Sequence, residues 1–253
     1  MTTVGIVVPA YRPDTQTLTS YVDALHDELQ PATVRIEVDQ PSERTLDALA
    51  DTPAVVAASD DRRGKGTAIT DGFDALDTDV LAFADADGSV PVSSLAAVID
   101  RADDTLAVGS RRHPAAEVEQ HQSVVRRGFG DVFASLARVL LDIPLHDFQC
   151  GAKALPQDVW MAVRESLFEP GFAWDVELIA TVDTAGYDVV EVPVTWDDDP
   201  DSTVDTLPTA AQLLRALVTL RARRGVSAST YRTVRRQLPS SEPLVHRHGR
   251  EGR

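Results

Sequence analysis

The chain's 253 residues carry 43% hydrophobic side chains and a formal net charge of −16 at pH 7. That length holds one large α/β domain or two small ones, and that apolar fraction is enough for a core. The acid excess speaks against a nucleic-acid-binding surface, so no nucleic-acid partner is expected.

Lys65 and Lys153 are the only lysines; every other basic residue is arginine. Acids cluster, as in Asp197-Asp198-Asp199 and Asp201. Acid excess with few lysines suggests a halophilic protein, made for high salt where screening relieves self-repulsion. The single cysteine, Cys150, rules out an intrachain disulfide and fits a reducing compartment, where it reads as a small packing residue. The N-terminus enters a strand with no signal-peptide pattern, and no apolar run approaches the ~20 residues of a membrane span. The expectation is a cytoplasmic protein, soluble or peripheral on the membrane's cytoplasmic face.

Taken in order, Val4–Ala10 is a β-branched run stopped by Pro9, hence a buried strand. A loop at Tyr11–Asp14 leads to a helix with apolar Leu18, Tyr21, Val22, Leu25 and Leu29, ending before Pro31. Val34–Asp39 alternates and ends in an acid; Pro41–Leu49 is a short helix; Ala54–Ala58 is a third strand. Arg63-Gly64-Lys65-Gly66-Thr67 is a glycine loop before a helix from about Thr67 to Leu76, and Val80–Ala84 is a fourth strand. A helix follows Pro91, then a strand at Thr105–Gly109, then a polar, loop-like stretch from His113 to Ser123. Val124–Leu141 has a helical period, with Phe129, Val132, Phe133, Leu136, Val139 and Leu140 expected on the buried side. After Asp147–Gly151 come a short strand, helices at Asp158–Leu167 and from Trp174, and a long alternating strand at Val189–Trp196. Leu207–Arg224 is a last amphipathic helix, with Leu213, Leu214, Leu217, Val218 and Leu220 interleaved with arginines. These elements define one domain, residues 1–225, followed by an Arg-rich tail, 226–253, expected to be flexible and disordered after Pro239.

The first half is a β-α-β-α-β-α-β series, which predicts a single α/β domain with a mainly parallel central sheet flanked by helices. In such sheets ligands sit beyond the C-terminal ends of the strands. Pro9, Asp39, the Gly64–Gly66 loop and Asp85 all fall on that edge.

Val80–Ala84 runs straight into Asp85-Ala86-Asp87-Gly88. Charges at the rim of a core need a partner, and a divalent cation is a natural one. Two residues apart on extended backbone, the two carboxylates share a face, and a turn at Gly88 lets the second swing toward the same ion. The residues alone leave a structural cap open as the alternative. The glycine loop is not a P-loop, since Ser59 stands where its first glycine belongs and Gly66 follows Lys65; Ile69 spoils a dinucleotide fingerprint. It delivers one lysine before a helix N-terminus, a setting that holds a phosphate or a base edge. Arg111, Arg126 and Arg127 are candidates for an anionic acceptor or leaving group, or else a solvated helix face. The histidines lack metal-ligand spacing, and no nucleophile motif is present.

Seven pieces in order carry a resemblance: Val7–Tyr11, Arg63–Gly66, Ala84–Gly88, Gly109–Arg111, Asp147–Lys153, Trp174–Leu178 and Glu191–Trp196. The set resembles family 2, GT-A-type glycosyltransferases, and is most similar to the dolichyl-phosphate β-glucosyltransferase and dolichyl-phosphate mannosyltransferase branch. Gln149-Cys150-Gly151 with Lys153 is closer to the glucosyl side. The resemblance implies a GT-A fold and an inverting hexose transfer. Its donor is a nucleotide sugar of the UDP-glucose or GDP-mannose type, its cofactor Mg²⁺ or Mn²⁺, and its acceptor a polyprenyl (dolichyl) phosphate. Carried across, Pro9, Tyr11 and Asp39 hold the nucleoside with Lys65 and Gly66 nearby; Asp85 and Asp87 hold metal and diphosphate; Arg111 and Arg126 meet the acceptor phosphate. A hydroxyl acceptor would need a base, and Asp147 is the candidate. A lipid acceptor also gives the Arg-lined last helix a meaning as a peripheral membrane contact, beside its reading as an ordinary packing helix.

Departures are visible. Arg12-Pro13 stands where the family has Asn-Glu, Asp39-Gln40-Pro41-Ser42 where it has Asp-Asp-Gly-Ser, and Ser89 where a Gln or Thr often adds a metal contact. The alternatives are a GT-A enzyme with a soluble acceptor, such as a phosphorylated glycerate, and a non-catalytic nucleotide-sugar-binding protein.

Overall fold

The computed structural model describes residues 2–118, 124–197, 206–224 and 242–247, with side chains for all of these but 124–129, 206–210 and 224. The first half alternates as the β-branched runs dictate: β1 (Val4–Tyr11), α1 (Thr15–Leu29), β2 (Thr33–Asp39), α2 (Glu43–Leu49), β3 (Val55–Ser59), α3 (Lys65–Asp74), β4 (Val80–Ala84) and α4 (Val92–Ile99). Then come β5 (Leu106–Ser110), β6 (Glu117–Val118), α5 (Val124–Leu141), β7 (Ala152–Pro156), α6 (Gln157–Val163), α7 (Trp174–Thr184), β8 (Val189–Pro193), β9 (Thr195–Trp196) and α8 (Thr206–Arg224). Local signals set several boundaries. Asp14 caps α1 by accepting the Thr17 amide at 2.8 Å, and Ser42 caps α2 through the Thr45 amide.

Seven strands form one sheet in the order β3-β2-β1-β4-β7-β5-β8. Its pairs are parallel except where β7 lies antiparallel between β4 and β5. The reversal positions the site. Ala152, where β7 begins, pairs with Ala84, where β4 ends. The loop before β7 therefore arrives at the strand-end edge that holds Asp85.

Side chains alternate across β1, so Ile6 and Val8 join a core with Leu18, Val22, Leu25 and Leu95, while Val7 faces the opposite core. That second core holds the large aromatics: Phe73 meets the Trp160 ring edge-on at 5.1 Å, and Phe83 meets Trp174 at 5.7 Å. Both faces are covered, which is why the strands read as continuous apolar runs.

Four expectations change. The strand at Val189–Trp196 is two strands: β8 closes the large sheet, Pro193 lies at its end, and β9 pairs with β6 inside the stretch expected to be irregular. On α5, Val132 and Val139 are 68% and 77% exposed, whereas Ala134, Ala137 and Leu141 are buried. Phe133, Leu136 and Leu140 pack partly buried against the core, as expected, and the side chain of Phe129 lies outside the described residues. On α8, Leu214 and Val218 face out while Leu213, Ala216, Leu217 and Leu220 are buried. Finally, Glu242–Arg247 is not disordered: Leu244 is fully buried and its amide donates to the Leu167 carbonyl at 2.9 Å. Residues 225–241 and 248–253, the rest of the expected tail, lie outside the described residues.

Candidate active site

β4 is buried throughout and delivers its two acids at the end of the sheet. The Asp85 amide donates to the Gly151 carbonyl at 2.9 Å, which ties the strand end to the incoming loop. Gly88, at φ +67°, turns the chain, and Asp87 Oδ1 accepts the Ser89 amide at 3.0 Å. No side chain fits at Gly151, because a Cβ there would lie 2.2 Å from Asp85 Oδ2. Asp87 lines a cleft of about 600 Å³ together with Tyr21, Gly88, Thr195 and Asp197. Crowding by protein, and then the Asp85 charge, push the Asp87 carboxyl above the ordinary aspartate value.

Lys65 opens α3, two residues earlier than the periodicity placed the helix start. Its Nζ lies 2.9 Å from Asp85 Oδ1 and 3.1 Å from Asp175 Oδ2. Lys153, fully buried, sits 2.5 Å from Asp175 Oδ1 and donates to the Cys150 carbonyl at 2.9 Å. Both ammonium groups lie over the Phe83 ring, at 5.1 and 5.4 Å. Burial alone would discharge Lys65, but Asp175 and Asp85 outweigh it and hold the amine charged, above its ordinary value. Lys65 is thus a fixed point charge beside the acidic pair, suited to phosphate oxygens.

The Asp39 carboxylate is occupied. Burial leaves it 2% exposed, Oδ1 accepts Arg63 Nε at 2.8 Å, and Oδ2 accepts the Gly64 amide at 2.9 Å. Arg63 also bonds Glu37 and Asp71, both at 2.9 Å. Tyr11 is half-buried, with the Arg62 guanidinium 4.1 Å from its ring centre. Pro9 is buried within β1, opposite Glu37. Gly66 is buried against Glu169 and Trp174, where a Cβ would lie 2.4 Å from the Glu169 carbonyl oxygen; its visible work is close packing.

Across the edge, β5 ends at Ser110 and presents Arg111. Arg111 Nε and Nη2 donate to the two oxygens of Asp147 at 2.7 and 3.0 Å, a bidentate fork. Three of its five N–H donors keep no protein partner among the described residues, and its guanidinium lies 4.7 Å from the Trp196 ring centre. Asp85 is close enough for its charge to act on Arg111. Arg112 Nη1 adds a second cation 3.4 Å from Asp147. Burial would raise the Asp147 carboxyl, but Arg111 and then Arg112 hold it well below the carboxylate range. A carboxylate so engaged is a poor proton acceptor, and its geometry suits orienting Arg111 more than the base work considered for it with a hydroxyl acceptor. Arg126 lies in α5, and its side chain is outside the described residues, as is that of Arg127.

The donor set fits a divalent ion held jointly with a diphosphate. Asp85 and Asp87 lie two residues apart at the strand end, and both reach solvent. Among the described residues no group of three His, Cys, Asp or Glu side chains could hold a metal. Mg²⁺ commonly takes one or two carboxylates and completes its shell with phosphate oxygens and water.

Comparison with known proteins places the chain in a family and a fold. The family model for glycosyl transferase family 2 matches residues 5–160. The chain is 29% identical over 233 residues to glycosyltransferase AglD of Haloferax volcanii, an alignment covering 84% of this chain and 36% of AglD. It is 28% identical to the polyprenol monophosphomannose synthase of Mycolicibacterium smegmatis, over 76% of each chain. It is 25% identical to the dolichyl-phosphate β-glucosyltransferase of Saccharomyces cerevisiae, over 63% of this chain and 52% of that protein. The chain thus spans little more than a third of AglD and about half of the yeast protein. Among solved structures, glucosyl-3-phosphoglycerate synthase from Mycobacterium tuberculosis, in complex with Mn²⁺, UDP-glucose and phosphoglyceric acid, aligns over 90% of this chain and 82% of that one. The TM-score is 0.67 at 17% identity, a likeness of fold. The match to the family model takes in β1 through β7, the span that carries Asp39, Lys65, both strand-end acids and the Arg111–Asp147 fork; the chain belongs to glycosyl transferase family 2, built on a GT-A fold.

Proposed function

We propose that the chain transfers a hexose, with inversion, from a nucleotide sugar to a polyprenyl phosphate. The observation that carries the acceptor class is the Arg111–Asp147 fork. Asp147 is committed to Arg111, while Arg111 keeps donors free for an anion beside the acidic pair. A phosphate is ionised at neutral pH and needs positioning more than a base, so the fork suits it better than a hydroxyl. The names of the polyprenol and dolichyl-phosphate relatives support the lipid form of that acceptor. UDP-glucose is the first donor to test and a GDP-mannose type the second.

Each residue then has a defined part. Asp85 and Asp87 would hold Mg²⁺ or Mn²⁺, which when bound supplies positive charge for the leaving nucleoside diphosphate. Lys65 adds a second, permanent charge on the same side, set in place by Asp175. Tyr11, at the end of β1 with Arg62 over its ring, would stand at the base end of the donor. Arg111 holds the acceptor phosphate and Asp147 keeps the guanidinium aligned. Among the described residues no helix is long and apolar enough to cross a membrane. The proposed meeting point of this domain with a lipid acceptor is the cytoplasmic face of the membrane.

The test is a donor–acceptor panel at high salt with Mn²⁺: UDP-glucose and GDP-mannose against dolichyl phosphate in detergent and against phosphoglycerate. A lipid-linked hexose with matching release of nucleoside diphosphate is expected. Transfer to phosphoglycerate with none to the lipid would overturn the acceptor assignment.

A further inference from the structure

We propose that Glu191 is the positioning residue that sets the Arg111 fork for the acceptor phosphate; this rests on the phosphate-acceptor reading above. Glu191 lies on β8, the edge strand, and its side chain is only 9% exposed. A carboxylate so placed is costly unless its oxygens are filled. They are filled by the loop that carries Asp147. Oε1 accepts two successive backbone amides, from His146 at 2.7 Å and Asp147 at 2.9 Å. Oε2 takes the His146 ring at Nδ1, 2.7 Å away.

The connection reaches both partners of the fork. Glu191 pairs with Val108 on β5, the strand that ends at Ser110 and delivers Arg111. Through its side chain it holds the backbone of Asp147, which grips Arg111 at both oxygens. Asp147 Oδ1 also accepts the Gln149 amide at 3.0 Å, so the loop turns about that carboxylate. One side chain thus fixes the distance between the strand that brings the guanidinium and the loop that orients it. Without it, the amides of His146 and Asp147 lose their acceptor, the loop relaxes, and Arg111 loses its aligned donors. The donor half draws its charged side chains from β4, α3 and α7, and meets this loop farther along, at Gly151, whose carbonyl accepts the Asp85 amide.

Glu191→Ala and Glu191→Gln in the full chain test this. The glutamine carbonyl can accept the same two amides, so Glu191→Gln should keep the acceptor KM within a few-fold of wild type. Glu191→Ala should raise the KM for the phosphate acceptor roughly 10- to 100-fold, the range for hydrogen bonds to a charged group. The Kd for UDP with Mn²⁺ should not move, and kcat at saturating acceptor should stay within a few-fold. Where Glu191→Ala fails to fold, Glu191→Asp, one methylene shorter, carries the test and should give an intermediate KM. An unchanged acceptor KM in folded Glu191→Ala or Glu191→Asp overturns the inference, as does a loss of UDP affinity equal to the loss for the acceptor. If wild type turns over no phosphate acceptor while accepting a hydroxyl one, the acceptor reading fails instead.

Discussion

Lys65 and Lys153, the only two lysines in 253 residues, converge on one carboxylate: their Nζ atoms lie 3.1 and 2.5 Å from the two oxygens of Asp175. One amine faces the acidic pair, the other is sealed in the core, and Asp175 is the counter-charge they share. An arginine at either place would need a broader, planar set of acceptors.

Asp175→Asn leaves Lys153 buried without its counter-charge. Removing one partner of a buried pair costs about 3–5 kcal/mol. We expect a loss of that order in urea-induced unfolding at high salt. A change below about 1 kcal/mol would show that the cluster adds little to stability.

Asp87→Ala should abolish metal-dependent release of nucleoside diphosphate, by roughly 10³-fold or more, with an unchanged melting temperature. Gly151→Ala gives an independent check, because its Cβ would push directly into Asp85. It should weaken Mn²⁺-dependent UDP binding, read by calorimetry, while circular dichroism shows a folded protein. Normal UDP affinity in Gly151→Ala would argue that Asp85 does not meet the donor.

Arg111→Lys keeps the charge but loses the planar fork to Asp147. A conservative substitution at a bidentate site is not conservative in effect. The acceptor KM should rise at least tenfold, with donor affinity intact. Rescue to wild-type KM by lysine would mean that charge alone is read there.

Acid stability follows from two carboxylates whose folded pKa values are depressed. In Asp147 and Asp175 burial pushes upward, and neighbouring Arg111 and Lys153 more than reverse it. The unfolded value is about 3.9. Their contribution is therefore complete above about pH 4–5 and is lost as pH falls below that toward the folded values. Melting temperatures at fixed salt should be flat, as far as these groups decide them, from neutrality to about pH 5 and fall below about pH 4. Arg111→Gln removes the stronger partner of Asp147, leaves burial to raise that carboxyl, and should move the fall to higher pH.

The parallel half of the sheet was legible because its strands are short apolar runs closed by a proline, an acid or a glycine loop, and the acidic pair was legible because charges ending such a run are conspicuous. The role of Asp147 was not. The residues offered it only as a base for a hydroxyl acceptor, and its fork with Arg111 spans 36 residues, out of reach of any local pattern. Asp175, Lys153 and Glu191 sat inside quoted pieces without a role, because their partners are 22 to 110 residues away and periodicity carries no long-range pairing. The nearest available signal was charge in otherwise apolar segments, as in Trp174–Leu178 and Val189–Val194. On α5 it was Val132 and Val139 that misled: they face out, while Ala134 and Ala137 are buried beside Phe133, Leu136 and Leu140.

Leu244 has one more consequence. It plugs the aromatic-side core, its amide tied to the Leu167 carbonyl, while Arg247 Nη2 donates to the Phe168 carbonyl at 3.1 Å. The next residues, Glu169 and Pro170, form the wall against which Gly66 and Gly64 press, and Pro170 accepts the Thr67 amide. A distant piece of chain therefore buttresses the turn that aims Lys65. Trimming the protein at residue 225, where its composition changes, would pull a stopper worth about 1.5–3 kcal/mol of apolar burial and slacken the floor beneath the donor's phosphates.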